Sequence, residues 1–325
     1  MGVKVMTDNV VKPVIDTKEE IRLKRLGFLR DKTTADCFNA RVITRNGKVT
    51  AQEMEVIAQA AKQYGNGEVA MTSRLTVEIQ RIPVANIKPV MDFLAQHGLE
   101  TGGTGRKVRP VVACKGTTCQ YGLIDTFDLS QKIHESFYKG YRRVSLPHKF
   151  KIAVGGCPNN CVKPTLNDLG IMGQRIPVLD SEKCRGCTKC QVVSACPIKV
   201  VKVVDGKAVI GEDCNNCGRC KGKCPFGAVT FTDGYRIFIG GKWGKQTAVA
   251  KPLDKIFTTE EEILSTVEKA ILFYKEIGRF NERFADTVQR VGFNYAQETI
   301  LGDKILWRKS GILEIVDEER AGDEC

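Results

Sequence analysis

ACKGTTCQYG at residues 113–122 and GGCPNNCVKP at residues 155–164 decide the reading of this chain. They place Cys114 and Cys119, then Cys157 and Cys161, in two Gly-bearing turns, spaced C-x4-C and C-x3-C. Paired cysteines that return about forty residues later suit a shared iron–sulfur cluster. Arg74, Arg109, Lys149 and Lys151 stand in the segments around them. A thiolate nest beside concentrated positive charge suits electron delivery to a small oxyanion.

Downstream, eight more cysteines form a second and denser group. CRGCTKCQVVSACP spaces Cys184, Cys187, Cys190 and Cys196 as C-x2-C-x2-C-x5-C-P, and CNNCGRCKGKCP spaces Cys214, Cys217, Cys220 and Cys224 as C-x2-C-x2-C-x3-C-P. In two-cluster ferredoxins the fourth ligand of each cubane comes from the other motif. One cluster is therefore expected on Cys184, Cys187, Cys190 and Cys224, the other on Cys214, Cys217, Cys220 and Cys196. A zinc module is the weaker alternative, because zinc motifs rarely repeat three cysteines followed by Cys-Pro. With the first quartet, this predicts three [4Fe–4S] clusters.

The 325 residues carry 50 Lys and Arg against 38 Asp and Glu, a formal charge of +12. A nucleic-acid partner does not follow, since the basic residues are dispersed without a basic–aromatic run. Each cubane on four thiolates brings roughly −2, so three bring roughly −6 and absorb much of the excess. No apolar run is long enough for a membrane span, and the first residues lack a secretory signal. Cysteines this abundant in a chain without an export signal are expected to stay reduced and bind metal, so the expected location is cytoplasmic.

Residues 1–32 read as an N-terminal arm with a possible short helix in KEEIRLKRLGFLR. FNARVITRNGKVT predicts a strand ending in an Asn46-Gly47 turn, and Thr50 with Glu53 predicts a capping box ahead of Met54, Ile57, Ala58 and Ala61. EVAMTSRLTVEIQRI alternates as one strand, and a helix from about Ala85 to His97 stops at Gly98. Beyond residue 100 come short strands, a helix near Asp128–Tyr138, the cysteine-dense stretch, and a helix opened by Thr259 and Glu262. The expected class is α+β: a ferredoxin-like half domain at 33–100, a cluster-bearing domain from 101–180 and 233–325, and an inserted two-cluster ferredoxin module at 181–232.

In chain order TSRLTVEIQ (72–80), GGTGRKVRPVVACKG (102–116) and LPHKFKIAVGGCPNNC (146–161) resemble the sirohaem-dependent nitrite and sulfite reductase family over about residues 33–280. Within it, the position of the ferredoxin insert is similar to that in the sirohaem subunits of anaerobic sulfite reductases. The four-residue gap between Cys114 and Cys119 departs from the commoner five. The resemblance implies that Cys114, Cys119, Cys157 and Cys161 hold a [4Fe–4S] cluster, with Cys161 also bridging to the sirohaem iron. It puts Arg74, Arg109, Lys149 and Lys151 on substrate-binding positions. Lys149 and Lys151 face one side of an apparent strand while Phe150 points into the core.

Resemblance and chemistry together assign the sirohaem carboxylates to Arg106, Lys107, Lys115, Asn159 and Asn160. The Gly102-Gly103 turn lets backbone amides come close. Gly240, Gly241 and Lys242 are further neighbours. A nucleotide loop at GGTGRK is disfavoured, because strand rather than helix follows it.

The implied reaction is six-electron reduction of sulfite to sulfide, with nitrite reduction to ammonia, or a non-catalytic electron carrier, as alternatives. The chain has no dinucleotide fingerprint, so nicotinamide-linked electrons would come through iron–sulfur and flavin/nicotinamide-binding partner subunits. A single copy of the half-domain pattern leaves room for self-association. Cys37 reads as a buried thiol, His97 and His134 as packing or surface residues, and His148 as a neighbour of the pocket. Cys325 falls in the tail.

Overall fold

A computed structural model describes residues 15–315. The expectation for Cys325, and most of that for the N-terminal arm, lies outside those residues.

The first sheet grows from Phe28–Arg30 (β1), Cys37–Val42 (β2), Val69–Met71 (β3) and Val77–Pro83 (β4), antiparallel in the order β1-β2-β4-β3. Thr17–Arg25 (α1) precedes it, and Ala51–Tyr64 (α2) and Ile87–Gln96 (α3) pack on it. The short helix expected in the N-terminal arm is α1, and the arm is corrected only beyond it, where β1 pairs with β2 as the edge of the sheet. Both groups of the Thr50–Glu53 capping box are formed. The buried face of α2 is Val56, Ile57, Ala60 and Ala61 instead of the stripe expected through Met54 and Ala58. That face is what meets Phe38, Ile79 and Leu94 in one core.

EVAMTSRLTVEIQRI also departs from the single strand expected. It folds as a β3–β4 hairpin because Thr72 takes over the chain at the turn. The Thr72 hydroxyl accepts from the Arg74 and Thr76 amides at 3.3 and 3.2 Å, and Leu75 turns left-handed at φ 58°. Arg74 therefore sits at a hairpin tip, where it can reach across to the next domain.

The second sheet contains Val112–Ala113 (β5), Ile152–Gly155 (β6), Leu169–Leu179 (β7), Val229–Ile239 (β10) and Lys251–Phe257 (β11), in the order β11-β10-β7-β6-β5. β5, β6 and β7 run parallel, and β10 returns antiparallel along the whole of β7, from Val229 opposite Leu179 to Ile239 opposite Leu169. Thr126–Ile133 (α4) and five C-terminal helices supply the rest of its large core. These are Glu260–Ile277 (α6), Phe284–Val291 (α7), Phe293–Leu301 (α8), Lys304–Trp307 (α9) and Lys309–Glu314 (α10). α6 opens on the predicted Thr259–Glu262 capping box, and α4 runs on as one wider turn through Lys139.

Between β7 and β10 the chain leaves the sheet and returns. That excursion holds the short helix Gln191–Ala195 (α5) and the hairpin Val201–Val204 (β8) with Lys207–Ile210 (β9). Its own core is small: Cys184, Ala208 and Ala228, with Leu179, Cys190 and Cys224 against them.

Candidate functional site

β5 and β6 carry the first two cysteine turns side by side. The Cys114 amide donates to the Val154 carbonyl at 3.1 Å, and the Gly156 amide donates to the Cys114 sulfur at 3.1 Å. The turns can be this close because both lack side chains where they touch: a Cβ on Gly156 would stand 2.8 Å from the Gly116 Cα. Burial pushes the Cys157 thiol up, and Cys114, Cys161 and Cys119 lie near enough to push it further against the Asn159 amide. All four thiols are thus gathered, with Cys161 the exposed member.

The eight remaining cysteines divide into two cavities. Cys184, Cys187, Cys190 and Cys224 line one, and Cys196, Cys214, Cys217 and Cys220 line the other. Each cavity draws its fourth cysteine from the other motif, as the crossed pairing requires. Among the described residues no three His, Cys, Asp or Glu side chains converge closely enough to hold one ion. Four thiols around each cavity, with crossed membership between the two motifs, fit cubane ligation better than zinc.

Arg74, Arg109, Lys149 and Lys151 gather around a carboxylate that sequence reasoning missed. Asp168 is fully buried and accepts from the Lys151 amide at 2.9 Å. Arg283, also unforeseen, places one terminal nitrogen 2.9 Å from both Asp168 oxygens. Burial raises the Asp168 carboxyl even against the pull of Arg283. Neither residue carried a motif: Asp168 follows a turn and Arg283 caps α7, and only the fold brings them together.

Arg74 differs from the oxyanion-gripping fork expected of it. Its terminal nitrogens donate to Asn167 Oδ1 at 2.7 Å and to the Pro110 carbonyl at 2.8 Å, so both are engaged and only Nε is left without a partner. Burial first, then Arg109, lowers its guanidinium to about 10. Arg109 is lowered to about 10 by burial and then Arg41, and it donates to the Gly103 carbonyl.

Phe150 is fully buried against Tyr274 and Phe284, as predicted, but the strand expected through Lys149 and Lys151 is only an isolated bridge from Phe150 to Val108, since β6 begins at Ile152. Burial and then Arg74 bring Lys151 down to about 8, and burial and then Arg283 lower Lys149. His148 Nδ1 accepts from the Lys149 amide at 2.8 Å, and burial followed by Lys149 drops its ring to about 4, so it is neutral at physiological pH.

The residues expected at macrocycle carboxylates scatter more. Arg106 and Lys107 line a basic cavity with Lys24, Arg25 and Arg143, and Arg106 stacks 4.5 Å from the Phe280 ring. Lys115 and Asn159 are exposed, while Asn160 is half-buried and left-handed at φ 57°, with a buried Oδ1 that has no partner. The Nε atoms of Arg74, Arg109 and Arg283 are likewise buried and unpartnered. A cationic wall with unused donors fits a polycarboxylate and an oxyanion.

The Gly102-Gly103 expectation is corrected. Gly102 donates to the Arg41 carbonyl of β2 at 3.0 Å and Gly103 to the Tyr138 hydroxyl at 3.1 Å, so both amides already have protein partners. Gly241 packs on the Asn167 carbonyl and Lys242 pairs with Asp286 at 2.6 Å, which leaves Gly240 as a left-handed turn beside Asp168. Cys37 and His134 are buried and His97 is exposed.

Two family descriptions match this chain: "Nitrite and sulphite reductase 4Fe-4S domain" over residues 104–305 and "Nitrite/Sulfite reductase ferredoxin-like half domain" over residues 30–97. A coenzyme F420-dependent sulfite reductase of Methanocaldococcus jannaschii is 31% identical over 77% of this chain and 40% of its own length. An anaerobic sulfite reductase subunit of Salmonella typhimurium is 28% identical over 51% of this chain and 52% of its own. The chain thus spans about half or less of these two relatives. Among solved structures, dissimilatory sulfite reductase I shares the fold at TM-score 0.66 and 20% identity, over 81% of this chain and 69% of that one. Among the described residues no helix is long and apolar enough to cross a membrane.

Proposed function

Since the chain belongs to the nitrite and sulphite reductase family, we propose that it reduces sulfite to sulfide in a six-electron reaction. The observation that carries this reading is the group of five cations, Arg74, Arg109, Lys149, Lys151 and Arg283, around the buried carboxylate of Asp168. Such an imbalance favours a compact dianion over a monoanion such as nitrite. A sirohaem coupled through Cys161 to a [4Fe–4S] cluster on Cys114, Cys119, Cys157 and Cys161 would supply the electrons.

The protein's own part is charge and protons. Arg109 and Arg283 hold the anion in place, and Arg74 adds field from a fixed position. Lys149 and Lys151, half-buried and easier to deprotonate than ordinary lysines, hand protons to the departing oxygens. Arg106, Lys107, Lys115, Asn159 and Asn160 neutralise macrocycle carboxylates. Two ferredoxin-type clusters in the 181–232 insert would receive electrons from iron–sulfur and flavin- or nicotinamide-binding partner subunits.

The test is the visible spectrum and iron content of protein purified without oxygen, before and after sulfite. Sirohaem bands that shift with sulfite, with roughly thirteen irons per chain, are expected. Macrocycle bands that ignore sulfite but respond to nitrite would reverse the substrate assignment. Absence of the bands, in protein made where sirohaem is available, would remove the reductase reading.

A further inference from the structure

β7 touches all three cysteine sites in sequence. Gly173 lies against the first quartet: a Cβ there would meet the Gly156 carbonyl at 2.6 Å, next to Cys157. Gln174 and Arg175 hold the second site. Gln174 Oε1 accepts from Asn216 Nδ2 at 3.1 Å, and the Arg175 amide donates to the Asn216 carbonyl at 2.8 Å. Gly218 packs on the Arg175 side chain, which Asp233 grips at 2.5 and 2.8 Å. Pro177 lines the Cys196, Cys214, Cys217 and Cys220 cavity, whereas Leu179, at the strand's far end, lines the other. At the rise of an extended strand, Gly173 and Leu179 stand about 20 Å apart.

A second contact points the same way. Arg219, between Cys217 and Cys220, lies 5.0 Å from the ring of Tyr121, two residues past Cys119. The other site leans away from β7, onto the β8–β9 hairpin. The Ala208 amide donates to the Cys184 sulfur at 3.3 Å, and Gly186 abuts the Gly206 carbonyl. Arg185, Lys189, Lys223 and Phe226 around that cavity are exposed.

We propose a fixed order for the relay: electrons enter at the Cys184, Cys187, Cys190 and Cys224 site and leave through the Cys196, Cys214, Cys217 and Cys220 site, crossing to the catalytic quartet at the Tyr121–Arg219 contact. This rests on reading the quartets as cluster ligands. Each step moves one electron. With clusters bound, the outer cysteine quartet would give up one electron as the inner quartet's cluster gains it, with no bond or proton moved, and a low-potential iron–sulfur or flavin protein would replenish the outer one.

Cys217→Ala and Cys187→Ala each strike one site. The variants and the unaltered protein are purified without oxygen, assayed for iron, and reduced with dithionite for electron paramagnetic resonance. Neighbouring reduced clusters speed each other's spin relaxation, steeply with proximity. The expected result is loss of the fast relaxation at the catalytic quartet in Cys217→Ala and its retention in Cys187→Ala. The reverse pattern overturns the order.

If either variant loses all its iron, Tyr121→Ala and Phe226→Ala leave every cysteine in place. Photoreduced electrons should then reach the catalytic quartet more slowly in Tyr121→Ala only, and slowing in Phe226→Ala alone overturns the order. An unaltered protein with only about five irons would instead show that the insert holds no clusters, and the proposal would fall with that reading.

Discussion

Lys151 is the residue whose chemistry is most exposed to experiment. Its folded pKa of about 8 lies below that of an ordinary lysine, first because it is buried and then because Arg74 and Arg283 stand near. Turnover that draws protons from it should fall as pH rises through about 8. Lys151→Arg, which keeps the charge but holds its proton, should lower kcat and abolish that limb, as a pH–rate profile would reveal. The stability effect has the opposite sign. The unfolded chain binds more protons than the folded one between about 8 and the ordinary lysine value, so stability rises with pH across that window. Asp168→Asn leaves Arg283 buried without its counter-charge, which should cost about 3 kcal/mol and lower the unfolding midpoint. The four cations named from sequence could be read because each stood in a motif. Asp168 and Arg283 could not, because 115 positions separate them and neither has a local pattern.

At the scale of elements, turns place the site more than strands do. Asn46 and Gly47 are both left-handed, at φ 57° and 100°, and a Cβ on Gly47 would stand 2.7 Å from Leu75 Cδ1, beside Arg74. Gly47→Ala should therefore cost about 1 kcal/mol or more and weaken sulfite binding by shifting the Arg74 hairpin, seen as a raised KM with a smaller change in kcat. Thr259→Ala removes one half of the α6 capping box and should cost about 1 kcal/mol without touching turnover. The Asn46-Gly47 turn and both capping boxes were legible, since each is a short-range rule. The β3–β4 hairpin was not. Thr and Ser continue the alternation of a strand as readily as they turn it, so the reversal at Thr72 left no mark in the pattern.

Across the whole molecule, the ladder between β7 and β10 makes the cysteine-rich excursion separable. Replacing residues 180–228 with a tight turn should leave the eleven-pair ladder closed and the larger core intact. The shortened protein is expected to retain macrocycle bands and about five irons, and to lose reduction by a protein donor while dithionite still reduces it. A soluble but colourless product would show that the sirohaem region needs the insert for folding. The cysteine-dense stretch stood out in composition, but the expected bounds of 181–232 run past the start of β10 at Val229, because composition does not mark where a strand resumes. The short helix of the arm was legible and is α1, whereas β1 was not, because its three residues gain their order from pairing with β2, a contact no local signal announces.

The insert's core has one more consequence, because three of its six members are cysteines. With clusters in place, the cofactors would be that core rather than guests within it. Oxygen damage would then begin as local unfolding at the rim of the chain, while the apolar body beneath β7 and β10 kept its shape. An ageing population of this protein would stay intact and coloured yet cut off from its supply: a break in the circuit, not a collapse of the machine.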